Sequence, residues 1–137
     1  MKRFAILAAL ILVAVATSAV LAAQTQGKKA EAKAEPKSMS VTGEIVDLGC
    51  YLAEGAKGEA HKSCASMCLS NGMPMGLLTR EGKLYLLTLN HDNADPYNSA
   101  KKMAAEQVTV TGMESQRNGM AALSVNEVKE VTPAKAN

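Results

Sequence analysis

The sequence has 137 residues, of which 15 are Lys or Arg and 13 are Asp or Glu. Lys2 and Arg3 account for the whole positive excess, so the chain beyond its amino-terminal segment is neutral. Aromatic residues make up only 3% of the chain and Trp is absent. This composition offers neither the clustered basic charge nor the stacking side chains that nucleic acids require, which argues against a nucleic acid as partner.

The first 23 residues predict a signal peptide. A basic start at Lys2 and Arg3 precedes an apolar run from Phe4 to Ala16, and small residues follow up to residue 23. The alternative is a membrane anchor, because residues 4–23 are just long enough to cross a bilayer core of ~30 Å. The Ala- and Ser-rich end of the run favours cleavage. We therefore expect a periplasmic or secreted protein with no stable membrane span after cleavage.

The mature chain divides into a tether, one domain and a short tail. Residues 24–38 contain no bulky apolar side chain and cannot bury enough surface to offset the entropy of ordering. The sequence thus predicts a disordered tether over 24–39, a folded domain over 40–131 and a disordered tail over 132–137.

Alternating apolar and polar residues predict a mainly β domain with short helices. Five strands are predicted, and two of their connections carry turn residues, at 80–82 and at Asn118-Gly119. Helices are predicted between strands one and two and between strands three and four, the latter with Asp95 as its cap. The expected elements, in chain order, are a strand over 40–48, a helix over 59–69, strands over 75–79 and 83–89, a helix over 96–105, and strands over 107–113 and 120–131. Five strands with one inserted helix favour a small OB-like barrel over a sandwich, which needs about seven.

The chemistry-bearing side chains concentrate around the first predicted helix. Cys50 ends the first predicted strand, and His61, Cys64 and Cys68 lie within ~60° of one another around the helix, on the face where Leu69 should pack. Three sulfurs and one imidazole are a suitable ligand set for a tetrahedral soft metal ion. The sequence therefore predicts a Cys3His site for copper(I) or zinc.

Two other interpretations stay open. In an oxidising compartment three cysteines commonly make one disulfide and leave one thiol, and Cys50 bridges to Cys64 or Cys68 more easily than those two bridge each other. The protein is then a thiol-disulfide redox protein, or a disulfide-stapled barrel that binds a partner protein or a glycan.

Three further side chains are candidate ligands. Met73 and Met75 follow the helix closely, and thioethers bind copper(I), although methionine also fills gaps in cores. His91 directly follows a predicted strand, and a noncovalent haem beside His61 or His91 is an alternative cofactor. No Cys-x-x-Cys pair and no hydrolase or phosphate-binding pattern occurs, so a binding protein is favoured over an enzyme.

The pattern resembles small exported bacterial proteins of unassigned function that have an OB-like β-barrel. The resemblance rests on the segments 41–47, 84–89 and 108–112, on Gly72, and on the arrangement Cys50…His61-x-x-Cys64-x-x-x-Cys68. It implies export, a compact barrel, and a functional role for these three cysteines and the histidine.

Overall fold

Five strands close into a barrel in the computed structural model, which describes residues 37–131. The strands are β1 (Lys37–Asp47), β2 (Met75–Leu78), β3 (Leu84–Leu89), β4 (Gln107–Arg117) and β5 (Met120–Glu130). The helices are α1 (Leu48–Glu54), α2 (Lys62–Ser70) and α3 (Asp95–Ala100), with short 3-10 turns at Glu59–His61 and Lys101–Met103. Strand order around the barrel is β1-β2-β3-β5-β4, with β4 pairing back to β1. The predicted OB-like five-stranded barrel is confirmed.

Two tight turns set the register of the hairpins. Asn118 and Gly119 both have positive φ, 49° and 82°, as a two-residue hairpin turn with the twist of the flanking strands requires. The turn between β2 and β3 is closed by a backbone hydrogen bond from Thr79 N to Lys83 O. Both hairpins therefore form where the sequence predicts them.

The barrel closes through one parallel pair, β3 with β5. β4 pairs with β1 on one side and with β5 on the other, and the β4–β5 register shifts between Thr111 and Gly112, where β5 has one extra residue. The interior is filled by aliphatic side chains, among them the fully buried Ile45, Leu77, Leu87, Val108 and Leu123.

The observed elements differ from the predicted ones at several boundaries. β1 starts at Lys37, so it includes the last three residues of the predicted tether, and β4 continues to Arg117. Asp95 is the first residue of α3 and not its cap. The predicted signal peptide, the tether up to residue 36 and the tail over 132–137 lie outside the described residues.

The helix α1 was not predicted. Cys50 lies in its first turn and not at the end of a strand, because Asp47 caps the helix with its side chain. Gly55 ends the helix with a φ of 72°, a conformation that glycine adopts without strain.

None of the helices within residues 37–131 has the length and apolar character needed to cross a membrane.

Candidate metal centre

Asp47 links the two helices that carry the candidate ligands. Its side chain is fully buried at the end of β1. Its Oδ1 accepts a hydrogen bond from the backbone N of Cys50 at 2.9 Å, and its Oδ2 lies 3.2 Å from Nε2 of His61. One carboxylate therefore fixes the start of α1 and also orients the imidazole.

The helix α1 sits on the barrel through a glycine contact. A Cβ at Gly76 would lie 2.6 Å from Cδ2 of Leu48, so the absence of a side chain there lets Leu48 reach the β2 backbone. Gly49 is similarly covered by the methyl group of Met73. These contacts hold Cys50, the next residue, at a defined position beside the barrel.

The helix α2 packs one face onto the domain. Ala65 and Leu69 are buried, at 2% and 0% exposure. Residues at i, i+3 and i+4 share a helix face, so this packing directs Cys64 and Cys68 inward beside them. The predicted inner face is confirmed, and the preceding 3-10 turn adds His61.

The donor atoms form two neighbouring sets that share Cys50. In the first, the Sγ atoms of Cys50, Cys64 and Cys68 all lie within 4.8 Å of one another. In the second, a carboxylate oxygen of Asp47, Sγ of Cys50 and a ring nitrogen of His61 meet the same limit. The structure thus brings together all three cysteines and the histidine, with every cysteine a free, half-buried thiol.

The spacing of the three sulfurs suits a single bound ion. Metal–sulfur bonds of about 2.3 Å to three sulfurs in one plane place those sulfurs ~4.0 Å apart. Atoms that already lie within 4.8 Å of one another need only a small inward movement to reach that arrangement. The cluster could therefore hold a metal ion.

The surroundings of Cys50 and Cys68 favour the protonated forms of these two thiols. Partial burial raises the pKa of Cys50 to about 12, and the hydrogen bond and negative charge of Asp47 and the contact with Cys64 act in the same direction. Burial, followed by the neighbouring Cys64 thiol, also raises the pKa of Cys68. An attacking thiol in a redox protein has a lowered pKa, which is the opposite trend.

The three additional candidate ligands differ in their surroundings. Met75 is fully buried in the barrel core, where it packs with the aliphatic side chains. His91 is exposed in the turn after β3, outside both donor sets. Met73 is 38% exposed and lies against Gly49, at the edge of the cluster.

Asp47 is the site residue that sequence reasoning missed. The sequence offers one signal for this role: aspartate is a common N-terminal helix cap, and Asp47 stands three residues before Cys50. That signal is weak because the residue also fits the end of the preceding strand.

An apolar groove of about 750 Å³ adjoins the cluster on the α1 side. It is bounded by α1, by β3 and by the turn between β4 and β5, and its lining residues carry no charge. The lining includes Gly49, the residue before Cys50, and Met73, which lies against Gly49.

This chain matches no protein-family model and no curated protein sequence. The resemblance to small exported barrel proteins therefore stays a prediction, and the geometry of the cluster is the observation that bears on function.

Proposed function

We propose that the protein binds a soft metal ion, copper(I) or zinc, without catalytic turnover. The thiolates of Cys50, Cys64 and Cys68 are the principal ligands, and His61 is the fourth donor where the ion takes four ligands. The observation that carries the proposal is the mutual approach of three Sγ atoms within 4.8 Å. A structural disulfide needs only two sulfurs, so it gives no reason for the third to be there.

The helices that carry the ligands are supported by contacts outside the cluster, which favours a binding site. The ligands come from two helices, and both helices are fixed by contacts outside the cluster, through Leu48 on Gly76 and through the buried Leu69. Rigid support of this kind keeps donors close together before the ion arrives, which lowers the entropic cost of binding.

We also propose that the protein is exported and works in the periplasm or outside the cell. The support is the sequence of residues 1–23, with its basic start and apolar run. Amino-terminal sequencing of the protein from a periplasmic fraction should give a chain that starts at Gln24. A chain that still starts at Met1 contradicts export with cleavage.

The metal proposal is tested by anaerobic titration of the reduced protein against a coloured chelator. Loss of an outer-shell partner alone commonly costs about 10–100-fold in metal affinity, so each Cys→Ser variant should lose at least that much. Ser63→Ala is the matched control, because Ser63 is an exposed residue of α2 next to Cys64. Affinity that is unchanged in all three Cys→Ser variants overturns the proposal.

A further inference from the structure

The donor arrangement distinguishes between the two metals. Both donor sets contain Cys50, but the first is made only of sulfur and the second contains the carboxylate and the imidazole. The three sulfurs meet the 4.8 Å limit with one another, whereas His61 meets it with Asp47 and Cys50. An ion placed among the three sulfurs therefore has three close donors, and the imidazole is not one of that group.

His61 is held away from the sulfur set by an existing bond. Its Nε2 lies 3.2 Å from Oδ2 of Asp47, whose side chain is fully buried. Movement of His61 onto an ion among the sulfurs would take this partner from a buried carboxylate, which is unfavourable. Cys50 on the ion is a thiolate and no longer donates to Asp47, so the backbone N of Cys50 would remain as a donor to this carboxylate.

Copper(I) and zinc differ in what they require from such a site. Zinc in structural sites is almost always bound by four ligands in a tetrahedron. Soft thiolate ligands suit both ions, but copper(I) is stable with three sulfurs in a plane and needs no fourth ligand. The thioether of Met73, which is also a soft donor, lies against Gly49, the residue before Cys50.

We propose, building on the proposed function, that the site takes copper(I) in three-sulfur coordination by Cys50, Cys64 and Cys68. His61 stays on Asp47, outside the coordination sphere. The Asp47–His61 pair then acts as a positioning element, since the same carboxylate that holds the imidazole also caps the helix that carries Cys50.

X-ray absorption spectroscopy of the wild-type full chain loaded anaerobically with copper(I) tests this directly. We expect a copper edge typical of three-coordinate copper(I) and a first shell of three sulfurs without nitrogen. A shell that contains a nitrogen ligand overturns the inference and leaves the proposed function standing, whereas a chain that binds neither copper(I) nor zinc overturns the proposed function itself.

A variant provides a second, independent test. His61→Gln removes the imidazole but keeps an amide N–H that can donate to Asp47. We expect copper(I) affinity to change by less than about threefold, while zinc affinity, which needs a fourth ligand, falls by at least about tenfold. A tenfold loss of copper(I) affinity overturns the inference. Thermal unfolding of the metal-free variant serves as the folding control.

Discussion

Asp47 is one side chain that contacts both chain segments from which the cluster is made. Its two oxygens are directed at the backbone N of Cys50 and at the ring of His61. A carboxylate has enough acceptor positions for two donors, whereas an amide has a single oxygen. This is the physical reason for an acidic residue at a fully buried position beside a thiol cluster.

Substitutions at Asp47 should distinguish the contribution of its helix cap from that of its contact with His61. Asp47→Ala removes the cap and the bond to the imidazole, and loss of a cap alone costs about 0.5–2 kcal/mol. Asp47→Ser keeps a capping oxygen but is too short to reach His61, so it should be the less destabilised of the two. Denaturant unfolding of the metal-free variants measures the difference. Equal destabilisation contradicts the capping role.

Cys50 should make the stability of the metal-free protein depend on alkaline pH. Its pKa is raised in the folded state from an ordinary value of 9.0 to about 12. The folded protein holds this proton more tightly than the unfolded chain does, so the contribution is complete below pH 9 and is lost as pH rises towards 12. Unfolding of the reduced, metal-free protein at a series of pH values measures this loss. The matched variant Cys50→Ser should lose less stability over the same range, and an identical pH dependence contradicts the assignment.

For individual residues, the sequence predicts which side chains are candidate ligands better than it predicts which side chains hold them in place. The common face of Cys64 and Cys68 follows from helix phase, which the chain itself encodes, whereas His61 lies in the preceding 3-10 turn and meets Asp47 and Cys50. The role of Asp47 depends on which side chains the fold brings around it, and Met75 belongs to the core because β2 places it there. Neither fact is visible in local spacing.

Among the elements, α2 carries two of the thiols and is held mainly by apolar contacts. Leu69→Ala removes a side chain with no exposure and should lower the free energy of unfolding by about 2–5 kcal/mol. Met67→Ala, on the outer side of the same helix at 60% exposure, is the control and should stay within about 0.5 kcal/mol. Equal effects in chemical denaturation contradict the packing of α2 described above.

The two ligand-bearing helices also show what sequence patterns reveal. One helix over 59–69 was predicted from good helix formers followed by Asn71, Gly72 and a proline, whereas its first three residues form a 3-10 turn and α2 begins at Lys62. The helix α1 has only seven residues, which is too short for a clear apolar period. It depends on a side-chain cap at one end and on Gly55 at the other, and both signals also occur in loops.

At the scale of the whole molecule, the barrel closes by pairing strands that are far apart in the sequence. Hairpins β2–β3 and β4–β5 follow from turn residues, and five strands with this spacing favour a small barrel. The parallel pairing of β3 with β5 and the shift at Gly112 depend on long-range contacts. They become known only from the structure.

The limits of the folded unit can be tested by limited proteolysis of the full chain. Backbone hydrogen bonds of β1 begin with Lys37, which pairs with Glu114 of β4. We expect the resistant fragment to start near residue 37 and to end near residue 131, because paired strands resist cleavage. Mass spectrometry identifies the ends. A resistant fragment that starts near residue 24 contradicts the predicted tether.

The central claim is that three thiols of one chain bind one soft metal ion. The most direct measurement is native mass spectrometry of the reduced protein after anaerobic loading with copper(I), combined with alkylation of its cysteines. We expect one ion per chain and slow alkylation of Cys50, Cys64 and Cys68, which becomes fast when a chelator removes the ion. A chain that takes up neither copper(I) nor zinc while its thiols are reduced, and whose cysteines react equally fast with and without added metal, contradicts this claim.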